Sequence, residues 1–163
     1  MYDPASAVTG KEAVFSAHPE EPAVKALESL AVDAKFDRNE LTIEVAPENI
    51  VAATTAVKES GYNFLEDVTC VDWYPSEPRF QVTYHILSHS LKRRVRLVAR
   101  LVGDGAAINT ITSVWPSANF YEREVFDLFG VHFGGHPNLT RIMMPTDWQG
   151  HPLRKDYPVE GYR

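Results

Sequence analysis

The histidines near the C-terminus are the first residues whose types and spacing could do chemistry. His132 and His136 stand four apart, His151 follows, and Asp147 and Asp156 lie close by. Two histidines at that spacing share a helix face and can chelate zinc, as a metal-dependent hydrolase would require. Here Gly134, Gly135 and Pro137 interrupt the helix, and no glutamate stands beside the first histidine to act as base. Hydrogen-bonded structural or interface histidines are favoured over a metal site built from His132, His136 and His151. Glu122, Glu124 and Asp127 could supply carboxylates for acid–base work. Arg123 offers them a neutralising neighbour, and Phe120, Tyr121, Phe126 and Phe129 dominate the rest of the segment. An amphipathic helix whose charges fix its docking is the favoured account. Lys92, Arg93, Arg94, Arg96 and Arg100 form the best case for nucleic acid, since Arg94, Arg96 and Arg100 share one strand face and could meet phosphates. No aromatic residues interleave them, and the chain has a formal net charge of −6. A solvated sheet face, or one matched to an acidic partner, is favoured over an RNA-binding module.

No glycine-rich dinucleotide fingerprint, P-loop or CxxC pair is present, and Gly103-Asp104-Gly105 is too little for the first of these. The single cysteine, Cys70, can neither close an internal disulfide nor alone hold an iron–sulfur cluster or structural zinc. The chain is therefore expected to bind no nicotinamide, flavin, ATP or cluster of its own. No run of about 18 apolar residues suggests a membrane span. The first residues lack a signal-peptide pattern, so a cytoplasmic, reducing compartment is expected.

The elements that must position these residues follow from periodicity and punctuation. Residues 1–19 are small and polar without a period and are expected to be a flexible leader. A helix should start near Glu20, with Pro22 in its first turn and Val24, Leu27, Leu30 and Ala31 on one face. Leu41–Val45 alternates as a strand. Pro47 and Glu48 open a second helix with a stripe of Ile50, Thr54 and Val57, ended by Gly61. Phe64–Trp73 is mixed and runs into a turn with two prolines. Phe80, Val82, Tyr84 and Ile86 alternate with Arg79, Gln81, Thr83 and His85. Val95, Leu97, Ala99 and Leu101 alternate with the arginines, which predicts a hairpin. Ile108–Val114 reads as a further strand. Ser117 is placed to cap a helix over Ala118–Phe129 that Gly130 stops. Asn138–Met143 could add one helical turn. The order predicts an α+β fold: a mostly antiparallel sheet with helices packed on one face, followed by an extended irregular C-terminal tail. The division expected is a leader at 1–19, an α+β domain at 20–130 and a docking tail at 131–163.

One ordered run of unusual residues is highly specific. It comprises Glu122-Arg123-Glu124, Asp127-Leu128-Phe129-Gly130, Phe133, Gly135-His136-Pro137, Leu139, Arg141-Ile142 and Trp148 through Pro158. It resembles the C subunit, or 30 kDa subunit family, of proton-translocating NADH–quinone oxidoreductase (respiratory complex I, NDH-1), with the chloroplast and cyanobacterial J subunit as a relative. Weaker similarity extends over Phe64–Val114. The resemblance implies a structural subunit of the peripheral arm, on the cytoplasmic side of the bacterial inner membrane, with no catalytic activity alone. Its implied partners are the D and B subunits, which form the quinone site, and also the ferredoxin-like I subunit. The complex passes electrons from NADH through FMN and iron–sulfur clusters to quinone, coupled to proton translocation, and this subunit holds none of those cofactors. Relatives also sit in membrane-bound hydrogenases and in dehydrogenases with other donors, which is the alternative assignment.

The tail residues suit docking. Pro137, Pro145, Pro152 and Pro158 lower the entropy lost when the tail is ordered on a partner. Trp148, Tyr157 and Phe133 supply large anchors, while Arg141 and Arg154 supply forked donors. The expected partner surface is Glu122, Arg123, Glu124, Asp127, Phe133, His136, Arg141, Trp148, His151, Arg154, Lys155, Asp156 and Tyr157. Trp148→Ala and Arg154→Ala are expected to weaken assembly and leave the isolated domain folded.

Overall fold

The fold is built on the long hairpin the alternation predicts. In the computed structural model, which describes residues 7–161, β5 (Phe80–Ser88) pairs antiparallel with β6 (Arg93–Leu101) in a register that sets Phe80 opposite Leu101 and Tyr84 opposite Leu97. Even-numbered β5 residues and odd-numbered β6 residues therefore share one face, and Phe80, Val82, Tyr84, Ile86, Val95, Leu97 and Ala99 are wholly buried. On the other side of β6, β3 (Glu40–Val45) runs parallel to it, placing Leu41 beside Val95 and Ile43 beside Leu97. The remaining neighbours are antiparallel, so with β1 (Val8–Thr9), β2 (Ala31–Asp37) and β4 (Phe64–Asp72) the sheet order is β1-β2-β3-β6-β5-β4 with one parallel pair, mostly antiparallel as expected. β4 (Phe64–Asp72) forms the far edge.

The helices bury their apolar stripes in the same core as that sheet face. They are α1 (Lys11–Ala17), α2 (Pro22–Leu27), α3 (Ile50–Glu59, after a 3-10 turn at Pro47–Asn49) and α4 (Ala118–Phe129). The opposite sheet face carries the arginines, each turned to a glutamate. Arg96 meets Glu40 at 2.7 Å, Arg100 meets Glu44 at 2.9 Å and Arg94 meets Glu66 at 2.9 Å. These are exposed ion pairs, worth about 1 kcal/mol or less each. A charge-neutralised face of this kind is a poor phosphate reader.

Several local expectations are corrected. Part of the expected leader forms regular structure, while residues 1–6 lie outside the described residues. β1 (Val8–Thr9) pairs with β2 (Ala31–Asp37), and α1 buries Val14 completely. Elements this short carry no readable period and hold only through tertiary contact. Ala31 belongs to β2 rather than to the first helix. A bulge between Ala31 and Asp33 breaks the alternation that would have marked this strand. The strand expected at Ile108–Val114 is only β7 (Ala107–Asn109), paired in parallel with the unanticipated β8 (His132–Gly134). Ser117 makes no side-chain cap; α4 instead continues a turn in which the Ala118 and Asn119 N–H groups donate to Trp115 and Pro116. No helical turn forms over Asn138–Met143.

The C-terminal tail as a candidate docking site

The expected motif is assembled around the end of α4. An α-helix leaves its last carbonyls without intrahelical partners, and here the tail supplies them. The His151 Nδ1–H donates to Asp127 O at 2.9 Å, the Leu153 N–H to Leu128 O at 3.0 Å and Arg154 Nε to Phe129 O at 2.6 Å. An arginine at a helix C-terminus is also favoured by the helix dipole. Gly130, at φ 76°, turns the chain so that this return is possible. A Cβ there would lie 2.6 Å from both His151 and Arg154, so glycine is required twice over.

Asp127 is the second fastener. Its side chain is fully buried in α4. Oδ2 accepts the backbone N–H groups of Ile142, Met143 and Met144 at 2.8–2.9 Å, and Oδ1 accepts Arg141 Nη1 at 2.8 Å. Burial alone would raise its pKa, but the three N–H groups and Arg141 outweigh that and hold the carboxyl below the usual range. Arg141 also donates to Gly150 O at 3.0 Å, while Arg123 donates to the carbonyls of Thr140 and Arg141. The turn of helix expected here is thus replaced by backbone wrapped on a carboxylate.

Farther along the tail, Arg79 forms a buried hub. It donates Nε and Nη2 to Asp72 at 3.0 and 2.9 Å, Nη2 to Asp156 at 2.7 Å and Nη1 to Asp104 at 2.5 Å. Its guanidinium also lies 4.9 Å from the Phe80 ring centroid and 5.0 Å from that of Tyr74. Asp72 accepts the Lys155 N–H at 2.9 Å as well, which ties the tail to the edge strand. Burial raises the Asp72 pKa, yet Arg79 and the Lys155 and Tyr74 N–H groups bring it down to about 2. Alternation places Arg79 on the wet face. It is instead only 4% exposed, because the turn before β5 and the returning tail close over it. No motif marks Arg79 or Asp104. The one available signal for Asp72 is a carboxylate at the inward parity of Val68 and Cys70.

Glu122 and His136 form a third cluster inside the fold. Glu122 accepts the Ile111 N–H at 2.8 Å and the Thr110 hydroxyl at 2.5 Å, which ties the segment after β7 to α4. Burial pushes its pKa up to about 7, against those two donors. His136 Nδ1 accepts the Asn138 N–H, so its Nε2–H donates to Asn119 O at 3.2 Å. Its ring lies 3.8 Å from Glu122 Oε2, and burial is the main cause that lowers its pKa. His132 is exposed and His151 is bonded to α4, so the three histidines are not brought together. Among the described residues no three His, Cys, Asp or Glu side chains converge as a metal would need.

The expected partner surface divides accordingly. Glu122, Asp127 and Phe133 are at most 1% exposed and serve the interior. The His136 side chain is fully buried, Arg123, Arg141, His151 and Arg154 are partly buried in the internal bonds above, and Tyr157 donates to Gln149 O at 3.4 Å. Arg154 is held internally by the carbonyls of Phe129 and Asp104. Glu124, Trp148 and Lys155 are exposed, and Asp156 is partly exposed while its carboxylate holds Arg79. Beside them, unanticipated, stand Ile142, Met143 and Leu153, exposed by 39%, 63% and 52%, together with Trp73 and Tyr74. Lys155 Nζ lies 6.0 Å from the Trp73 ring centroid.

Residues 43–163, which include the whole tail motif, match the family described as the respiratory-chain NADH dehydrogenase, 30 Kd subunit. The C subunit of the NADH-quinone oxidoreductase from Citrifermentans bemidjiense is 46% identical over 131 residues, which cover 80% of this chain and 81% of that protein. Among solved structures, the trypsin-resistant fragment of Nqo5 matches with a TM-score of 0.57 at 33% identity, over 61% of this chain and 83% of the fragment. A chain of the membrane-bound sulfane sulfur reductase, an archaeal respiratory membrane complex, matches with a TM-score of 0.76 at 29% identity over 86% of both chains. The chain belongs to the 30 Kd subunit family of the respiratory-chain NADH dehydrogenase.

Proposed function

We propose that this chain is a non-catalytic assembly subunit in the peripheral arm of a proton-translocating NADH–quinone oxidoreductase, and that its tail docks on the D subunit where that subunit meets the B subunit. The observation that carries this is the division of labour in the tail. Its charged and polar motif residues are used internally to set the backbone, while Ile142, Met143, Trp148 and Leu153 are left exposed on that fixed backbone. Large apolar side chains held in place before binding lose little entropy on docking. The FMN, iron–sulfur clusters and quinone belong to the complex and not to this chain. Its one cysteine is buried, and burial pushes the Cys70 thiol up to about 12, so it offers no thiolate ligand at neutral pH. The ferredoxin-like I subunit is a further neighbour. The location is the cytoplasmic face of the bacterial inner membrane, reached through the complex; no described helix is long and apolar enough to cross a membrane.

Likeness to the sulfane sulfur reductase chain supports a second assignment, the equivalent subunit of a related membrane complex with another electron donor. A tagged chain recovered from its own membranes should bring the D and B subunits with it. The NADH-oxidising subunits should follow under the first assignment and be absent under the second. Met143→Asp and Trp148→Asp should abolish that recovery while the isolated variants melt as the wild type does. Recovery at wild-type levels from either variant would remove the tail from the interface.

A further inference from the structure

The six-stranded sheet ends in two unlike edges. One is β1, two residues long, and the other is β4, nine residues long. An edge strand leaves a row of backbone N–H and C=O groups open to pairing, and proteins guard such rows with short strands, bulges, proline or charge. β1 is guarded by its length. β4 carries a bulge between Leu65 and Asp67, with Glu66 and Asp67 beside it. From Val68 to Val71 it has neither bulge, proline nor charge.

The register identifies the open groups. The Trp73 N–H donates to Arg79 O at 2.7 Å, which makes these two a hydrogen-bonded pair continuing the β4–β5 ladder. Such pairs alternate along an antiparallel ladder, so Val71 with Gln81, Thr69 with Thr83 and Asp67 with His85 follow in step. Val68, Cys70 and Asp72 therefore aim their N–H and C=O groups away from β5. Among the described residues no other strand or loop backbone meets them. The side chains along this row are apolar as well. Val71 is exposed by 38%, and Phe64 and Trp73, on the same sheet face, by 46% and 45%. Asp72, at the end of the row, accepts the Lys155 N–H, so the open edge runs into the surface formed by the tail.

We propose that an extended, uncharged segment of a partner subunit adds to β4 as a further strand, its backbone pairing with Val68, Cys70 and Asp72 and its apolar side chains lying beside Val71 and Trp73. Strand addition to an exposed sheet edge is a recurring mode of recognition, in which the main chain supplies affinity. A second copy of this chain fits the edge poorly. Two-fold antiparallel pairing of β4 with itself would set the two strands about 4.8 Å apart with both α4 helices on the same sheet face. α4 packs against β4, and a helix with its side chains is about 10–12 Å across, so the two helices would collide. A segment with no helix beneath it meets no such obstacle. The pairing rests on the chain being part of a multisubunit complex, and it adds a second surface to the tail.

Amide hydrogen exchange, read residue by residue through fragmentation mass spectrometry, tests this on the isolated chain and on the complex recovered with it. The Val68, Cys70 and Asp72 amides should exchange about 100-fold more slowly in the complex, since a ladder hydrogen bond must open before its amide exchanges. The Thr69 and Val71 amides, already bonded to β5, are the internal control and should be slow in both samples. Val71→Lys places a guarding lysine on the edge. The isolated variant should melt as the wild type does, because this side chain is exposed, and the added protection should be lost. Edge amides that exchange within about three-fold of each other in the two wild-type samples overturn the proposal. Protection that persists in Val71→Lys shows a cover other than a paired strand and overturns it equally. Protection that grows with the concentration of the isolated chain assigns the edge to a second copy and does the same. Failure of the wild-type chain to bring any partner overturns the assembly role and this pairing together. Full recovery of partners by Met143→Asp with the edge still protected overturns the tail reading alone.

Discussion

Replacing Asp127 by alanine should release the tail while leaving the sheet intact. The substitution removes the acceptor for three backbone N–H groups and the partner of Arg141. A buried donor left without a partner costs about 1–3 kcal/mol. Ile142 and Met143 are exposed and Arg141 is 16% exposed in its side chain, so water can replace part of what is lost. A net loss of about 3 kcal/mol for holding the tail closed is a fair middle value, compared with a whole-domain stability of about 5–15 kcal/mol. That converts to roughly a 100-fold larger open population. Arg141 makes the assay direct, because trypsin can cut after it only when the segment opens. In the regime where reclosing outpaces cleavage, the rate follows that population. Cleavage after Arg141 should therefore rise about 100-fold in Asp127→Ala, with circular dichroism of the sheet unchanged. A rate within three-fold of the wild type would show that this carboxylate does not hold the tail. The acid side adds a check. The folded pKa of Asp127 lies below its unfolded value, so its contribution is present above the unfolded value and is lost as pH falls through the folded one. The difference between variant and wild type should shrink in that window.

Two further outcomes follow from the buried charges. Glu122→Gln should flatten the pH dependence of stability between about 4.3 and 7, because a folded pKa raised to about 7 makes the wild-type carboxyl stabilising when protonated and lost as pH rises through that value; melting both proteins at pH 5 and pH 8 checks this, and a larger loss for the variant at pH 8 than at pH 5 would contradict it. Arg79→Met should cost about 3–5 kcal/mol by stranding Asp72, and adding Asp72→Asn should recover a large part of it in denaturant titrations, whereas strictly additive losses would mean that the two side chains are not coupled.

The parts of the fold legible in the sequence are those fixed by near neighbours. The hairpin showed in its alternation, α3 in the helix start at Pro47 and Glu48, though those residues form a 3-10 turn before it, and α4 in its span and its glycine stop. β2 was hidden by a bulge, and β1, β7 and β8 were too short to show a period. The tail motif was visible as a run of unusual residues, but the destinations of its side chains were not. Glu122 and Asp127 looked like surface charges because charged residues on a helix usually are, whereas here each is buried beneath backbone donors from another segment.

The sequence alone determined the family, the α+β class and the fact that residues from Glu122 to Pro158 form one unusual unit. Only the tertiary structure decided that this unit binds its own domain. Alternation and glycine or proline punctuation act over a few residues, so they are visible in order along the chain. The contacts of Arg79 with Asp156 and of Asp72 with Lys155 close over 77 and 83 residues. Such pairings exist only once the core has formed. They turn charged residues inward and leave Met143, Trp148 and Leu153 facing out.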